Sequence, residues 1–104
     1  MPIYHVVLFK LKPGVAQSSI DEMRKAGNAM VGVIPGLKSF HLGPPLASTA
    51  HRAQGYDMGL ITVLETEEQV LAYASHPAHQ VLHKMREPLC TETLAYDLEV
   101  LEIP

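Results

Sequence analysis

The chain has 104 residues, of which 47% are hydrophobic and 18% charged, with a formal net charge of −3. That length predicts a single domain over residues 1–104. The composition excludes a disordered chain, and the lack of any basic run argues against nucleic acid as the main partner. One cysteine, Cys90, rules out an internal disulfide and fits a reducing compartment. The longest apolar stretch, from Val6 to Phe9, is too short to span a bilayer. No basic segment precedes a long apolar core at the N-terminus, so a cytoplasmic location is expected.

In chain order, residues 3–11 alternate as a strand. His5, Val7, Phe9 and Leu11 share one face; Tyr4, Val6, Leu8 and Lys10 share the other. Both faces are largely apolar, which predicts cover on both sides. Lys12-Pro13-Gly14 ends the strand. Ser19 and Glu22 have the spacing of a capping box. Ile20, Met23, Gly27, Met30, Val31 and Ile34 then recur at helical spacing until Pro35-Gly36. Gly27 falls on the inward stripe and is expected to leave room beneath the helix.

Residues 37–43 read as a second strand and residues 44–55 as a long polar loop. Residues 56–64 read as a third strand. Thr66 and Gln69 form a second capping-box pattern ahead of Val70, Leu71, Tyr73 and Ala74. His76-Pro77 interrupts, because the residue before proline avoids helical angles. Pro77 then suits the first position of a further helix, ended by Pro88. Residues 93–101 close the chain as a strand, with Leu94, Tyr96, Leu98 and Val100 on one face.

The order strand, helix, strand, strand, helix, strand is that of the ferredoxin-like α+β fold. Right-handed crossovers place the helices on one face of a four-stranded antiparallel sheet. The other face keeps exposed apolar residues, and a homodimer packed sheet to sheet would cover it.

Histidine trades protons near neutral pH, and the chain has six: His5, His41, His51, His76, His79 and His83. His79 and His83 are four apart on one helix, a metal-compatible spacing, but no cysteine or carboxylate cluster accompanies them. His83 reads as an exposed helix residue, and no metal is expected. His79 opens the last helix, His5 projects from the first strand, and Tyr73 ends the preceding helix. The fold can bring these three around one cavity, where Asp97 on the last strand could fix an imidazole tautomer. Each has a plainer reading: His5 as a satisfied core histidine, Tyr73 as packing, Asp97 as a surface residue. Pro2 would offer a secondary amine after removal of the initiator Met, but the residues after it do not suit that chemistry. Cys90 lacks neighbours in sequence that would activate a thiol.

Several stretches resemble one known family, the stress-responsive A/B barrel (Dabb, dimeric α+β barrel) domains. They are Tyr4-His5-Val6-Val7-Leu8-Phe9-Lys10-Leu11-Lys12, Ile34-Pro35-Gly36-Leu37, Gly55-Tyr56-Asp57 and, above all, His76-Pro77-Ala78-His79. The resemblance runs through essentially the whole chain and implies the same ferredoxin-like dimer. A plant polyketide cyclase of this family performs a cofactor-free aldol cyclisation with a histidine and a tyrosine. Its motif positions fall on His79 and Tyr73, with His5 and Asp97 as orienting residues. The resemblance therefore implies a polyketide cyclase or lyase without a cofactor, acting on a β-keto substrate. Alternatives are a non-catalytic stress-responsive dimer that binds an apolar ligand, and a hydroxynitrile lyase-like enzyme.

The expected pocket lining is Val7, Phe9 and Leu60 from the sheet, with Met23, Arg24, Gly27 and Cys90 at positions that line the cyclase pocket. At these last four, and at Met58, the chain departs from that cyclase, which carries aromatics at the first-helix positions, a tryptophan near Cys90 and a histidine at Met58. The pocket is accordingly expected to be reshaped.

Overall fold

The computed structural model describes residues 2–101. Four strands form one antiparallel sheet in the order β2-β3-β1-β4. They are β1 (Ile3–Leu11), β2 (Leu37–Gly43), β3 (Met58–Leu64) and β4 (Cys90–Glu99). Helices α1 (Gln17–Met30), α2 (Glu67–Ser75) and α3 (Pro77–Arg86) complete the expected order. Strand β2 spans the predicted residues. Strand β3 starts two residues later than predicted, and β4 starts at Cys90 rather than Thr93. The loop after β2 contains a turn of 3₁₀ helix, Ala47–Arg52. The Gly55-Tyr56-Asp57 segment has a structural task. The Asp57 N–H donates to the Phe9 carbonyl, and its carboxylate accepts from the Leu11 N–H at 2.8 Å, tying the entry of β3 to β1.

The core lies between the sheet and the helices. Phe9, Met23, Met30, Leu64 and Leu82 are fully buried within it. Gly27 belongs here for a reason opposite to the one expected. It leaves no vacant room, because the Phe40 ring of β2 fills the gap. A methyl group on Gly27 would lie 2.0 Å from Phe40 Cζ. Helix α1 therefore docks on β2 by letting an aromatic ring meet bare backbone.

Two cap predictions need correction. Helix α1 starts at Gln17 with Ala16 as its N-cap and no side-chain cap. The Ser19 N–H is already bonded to the Ala16 carbonyl, so Ser19 sits inside the first turn and the Ser19–Glu22 box does not form. The helix also ends at Met30, ahead of Pro35-Gly36. Val31 is extended and Gly32 adopts φ +90°, a left-handed angle that suits glycine. Val31 consequently faces solvent, while Ile34 remains buried from the following turn. At α2, Thr66 accepts from the Gln69 N–H at 3.3 Å as predicted. The reciprocal arm is missing: Gln69 Oε1 is buried against Gly36 without a hydrogen-bond partner.

The sheet face away from the helices carries Tyr4, Ile61, Leu94, Tyr96 and Leu98, all exposed large hydrophobics. Strand β4 lies at the sheet edge, beyond the helical cover, and is exposed along nearly its whole length. No helix among the described residues is long and apolar enough to cross a membrane.

Because the Gly27–Phe40 contact leaves no space, Gly27→Ala should destabilise the protein by about 1–3 kcal/mol through overpacking. Urea unfolding measures this. Phe40→Leu in the Gly27→Ala background should recover part of the loss, and a neutral Gly27→Ala would contradict the packing.

Candidate active site

The site begins with a helix break. Pro77 has no N–H, so the Tyr73 carbonyl, its partner in an uninterrupted helix, takes the His76 N–H instead. The Ala78 N–H, which would otherwise reach Ala74, is accepted by His76 Nδ1 at 3.1 Å as the N-cap of α3. The Ala74 carbonyl is thereby released. It accepts from Gln80 Nε2 at 2.6 Å and lies 3.0 Å from His79 Nδ1. A carbonyl only accepts, so His79 Nδ1 carries the proton and Nε2 keeps its lone pair.

The same break brings Tyr73, near the end of α2, against His79, in the first turn of α3. Their ring centroids are 4.4 Å apart. His5 meets Tyr73 edge-on at 5.4 Å from the sheet side. Asp97 is the cross-strand neighbour of His5, and its carboxylate accepts from His5 Nδ1 at 2.5 Å. Asp97 thus holds one edge of the imidazole while the ring lines a cavity of about 180 Å³.

Burial decides the protonation states. It pushes the Tyr73 phenol up to about 12, with the Thr62 hydroxyl and Arg86 pulling back weakly. Tyr73, only 2% exposed, is therefore a hydrogen-bond donor at neutral pH and not a base. Burial also lowers the His79 pKa below its ordinary 6.5, and the nearby His83, His5 and Arg86 act in the same direction, while the Ala74 carbonyl opposes them. His79 is a neutral imidazole at physiological pH, ready to accept a proton.

The structure brings together His5, Tyr73 and His79, joins Asp97 to them through His5, and places Val7 and Leu60 on the cavity wall. It does not bring the other expected lining residues. Phe9 and Met23 are fully buried in the core. Gly27 is covered by Phe40. Arg24 turns to Asp21 and the Leu42 carbonyl. Cys90 is half-buried off the cavity wall, with burial raising its thiol pKa against the pull of Arg86.

Other residues take the vacated roles. Leu82, His83, Arg86, Thr93 and Ala95 complete the wall. His83 is thus no plain surface residue: it is half-buried and hydrogen-bonded to Arg86 at 3.0 Å. The signal was present as the helical spacing 79, 83, 86. Thr62 was also missed, although it is the polar member of an otherwise apolar inward row, Met58, Leu60 and Leu64. It is fully buried opposite His5, and its hydroxyl has no well-formed hydrogen bond.

A larger hollow of about 370 Å³ lies on the far face of the sheet, between Val6, Leu8, Ile61 and the loop at Pro44, Pro45 and Tyr56. His41 and Tyr56 are the titratable side chains on its wall. Among the described residues, no group of three His, Cys, Asp or Glu is close enough to hold a metal ion.

The sequence profile of the stress responsive A/B barrel domain matches residues 3–100. The chain belongs to the stress-responsive A/B barrel family. It is 36% identical over 78 residues to the stress-response A/B barrel domain-containing protein HS1 of Arabidopsis thaliana, covering 75% of this chain and 71% of the relative. It is 25% identical over 79 residues to olivetolic acid cyclase of Cannabis sativa, covering 76% of this chain and 77% of that enzyme. Among solved structures, a dimeric ferredoxin-like protein of unknown function from Jannaschia sp. CCS1 superposes with a TM-score of 0.84 at 27% identity, covering 96% of this chain and all of the other. Family and fold thus agree with the resemblance carried by the HPAH segment.

The lowered His79 pKa sets a sign for stability. The unfolded chain takes up this proton near 6.5, and the folded chain only at lower pH. His79 therefore stabilises the fold above about pH 6.5, and that contribution is lost as pH falls through this value toward the folded pKa. Imidazole resonances followed by NMR across the acid range should show His79 titrating below 6.5. Titration at or above 6.5 would contradict the burial argument.

Proposed function

We propose that this protein is a cofactor-independent acid–base enzyme that condenses a β-keto, polyketide-like substrate by an intramolecular aldol step. The observation that carries this reading is the His79–Tyr73 pair: a base whose tautomer is fixed by a main-chain carbonyl, packed against a phenol that keeps its proton. His79 Nε2 takes a proton from a methylene between two carbonyls. The electron pair moves onto the carbonyl oxygen, which Tyr73 stabilises by donating a hydrogen bond. The enolate carbon then attacks a second carbonyl of the same chain and forms the new carbon–carbon bond. The imidazolium returns its proton to the resulting alkoxide. His5, oriented by Asp97, lines the opposite side and presents Nε2 as an acceptor to the substrate. The likeness to olivetolic acid cyclase favours this reaction class.

The cavity volume favours a second reading. At about 180 Å³ it falls below the roughly 300 Å³ at which pockets for drug-sized ligands begin. A small carbonyl compound suits it, as in hydroxynitrile lyase-like chemistry. There His79 would take the hydroxyl proton of a cyanohydrin, the carbon–cyanide bond would break, and the departing cyanide would collect the proton. A stress-responsive dimer that only binds a ligand uses the same cavity without turnover.

We also infer that two copies pair through the sheet face bearing Tyr96, Leu94 and Leu98. Tyr96 is 63% exposed in the single chain, and the Jannaschia relative is described as dimeric. Contiguous exposed apolar surface marks an interaction site.

Incubation with a short linear polyketide thioester should give cyclised product. His79→Ala should slow it by roughly 10²- to 10⁴-fold, and Tyr73→Phe by roughly 10²- to 10³-fold. Mandelonitrile in place of the thioester tests the second reading through benzaldehyde release. Equal product from wild type and His79→Ala removes His79 as the base, and no turnover of either compound favours the binding role. For the assembly, Tyr96→Glu should shift the protein from dimer to monomer in light scattering after gel filtration, and an unchanged mass rejects the pairing face.

A further inference from the structure

Helix α3 delivers more than His79 to the cavity. His83 and Arg86, four and seven residues further on, stand on the same wall. Arg86 Nη2 lies 3.0 Å from His83 Nδ1. A guanidinium can only donate, so His83 Nδ1 accepts, and its proton sits on Nε2, 3.2 Å from the Glu87 carboxylate. Arg86 thereby reaches Glu87 only through an intervening imidazole. Among the described residues no carboxylate oxygen lies within 4.0 Å of Arg86 itself. Among the described residues no Asp or Glu lines the cavity, and the rest of the wall is apolar apart from Thr93, Tyr73 and the histidines.

Arg86 is also held in place. It is half-buried, and its Cζ lies 6.0 Å from the centroid of the Phe9 ring. A positioned cation without a direct counter-charge, in a partly desolvated cavity, is poised for an anion. The planar fork of arginine matches a carboxylate better than a single point charge does.

We propose that the substrate is an oxo acid whose free carboxylate is held by Arg86, with its ketone groups running along the cavity toward Tyr73 and His79. This rests on the acid–base reading of the site and narrows it. The carboxylate end is anchored, so a methylene between two ketones further along a poly-oxo acid falls to His79, and a further ketone of the same chain, four or five carbons beyond that methylene, receives the new carbon–carbon bond. Carbonyl substrates of the same length without the charge lose the anchor.

The probe is 5-oxohexanoate, compared with its methyl ester. Neither has a methylene between two carbonyls, so binding is read without turnover. Calorimetry and NMR shifts of the Tyr73 and His79 rings follow the titration. Wild-type protein should bind the acid roughly tenfold or more tighter than the ester, the range expected for a charge-assisted hydrogen bond. Arg86→Gln should abolish this preference while ester affinity stays near wild type, and His79→Gln should retain it. The wild-type comparison alone decides if Arg86→Gln folds poorly. Equal affinity for acid and ester, no binding of the acid, or a preference that survives Arg86→Gln overturns the assignment. Carboxylate binding without any cyclisation keeps the anchor and removes the proposed reaction; cyclisation without carboxylate preference does the reverse.

Discussion

The geometry of the candidate site depends on one missing hydrogen. Pro77 lacks the N–H that would continue α2 into α3. Its absence separates two short helices, brings the Tyr73 and His79 rings against each other at a tilt of 50°, and redistributes the carbonyls at the junction. His76 caps the new helix with its own ring, and the Ala74 oxygen is left for His79. The tautomer of His79 therefore follows from main-chain hydrogen bonding rather than from a dedicated side chain. The partner of this base is set by the fold, in contrast to His5, whose orientation depends on the carboxylate of Asp97.

Burial then separates the roles of the two facing groups. The same partly dry environment that lowers the imidazole pKa raises that of the phenol. One becomes an acceptor and the other a donor without any charged residue between them. Burial is the largest cause at both groups, and it leaves a proton acceptor and a proton donor side by side beneath three short helices.

Much of this was legible in the sequence, and the exceptions have physical causes. The alternation of β1 gave its two faces correctly, and the proline break located the junction of α2 and α3. The start of α1 was misplaced because Ser19 and Glu22 have the spacing of a cap while the chain is already helical at Gln17. The lining residues carried over from a relative, Met23, Arg24, Gly27 and Cys90, do not face the cavity. Phe40 occupies the space beside Gly27, and a ring inserted from another strand leaves no trace in local periodicity. His83 and Arg86 were readable as one helical face with His79. Thr62 was visible only as a polar interruption in the apolar row of β3, a pattern that does not distinguish a functional hydroxyl from a tolerated one.

Strand β4 has a further consequence. Its inward side chains at Thr93 and Ala95 form a wall of the cavity, yet the strand stands outside the helical roof and supports little of the interior. Bulk added or removed there alters the width of the chamber at small cost to folding. The width of the chamber is thus set from the sheet edge, while the His79–Tyr73 pair is held from the helix junction.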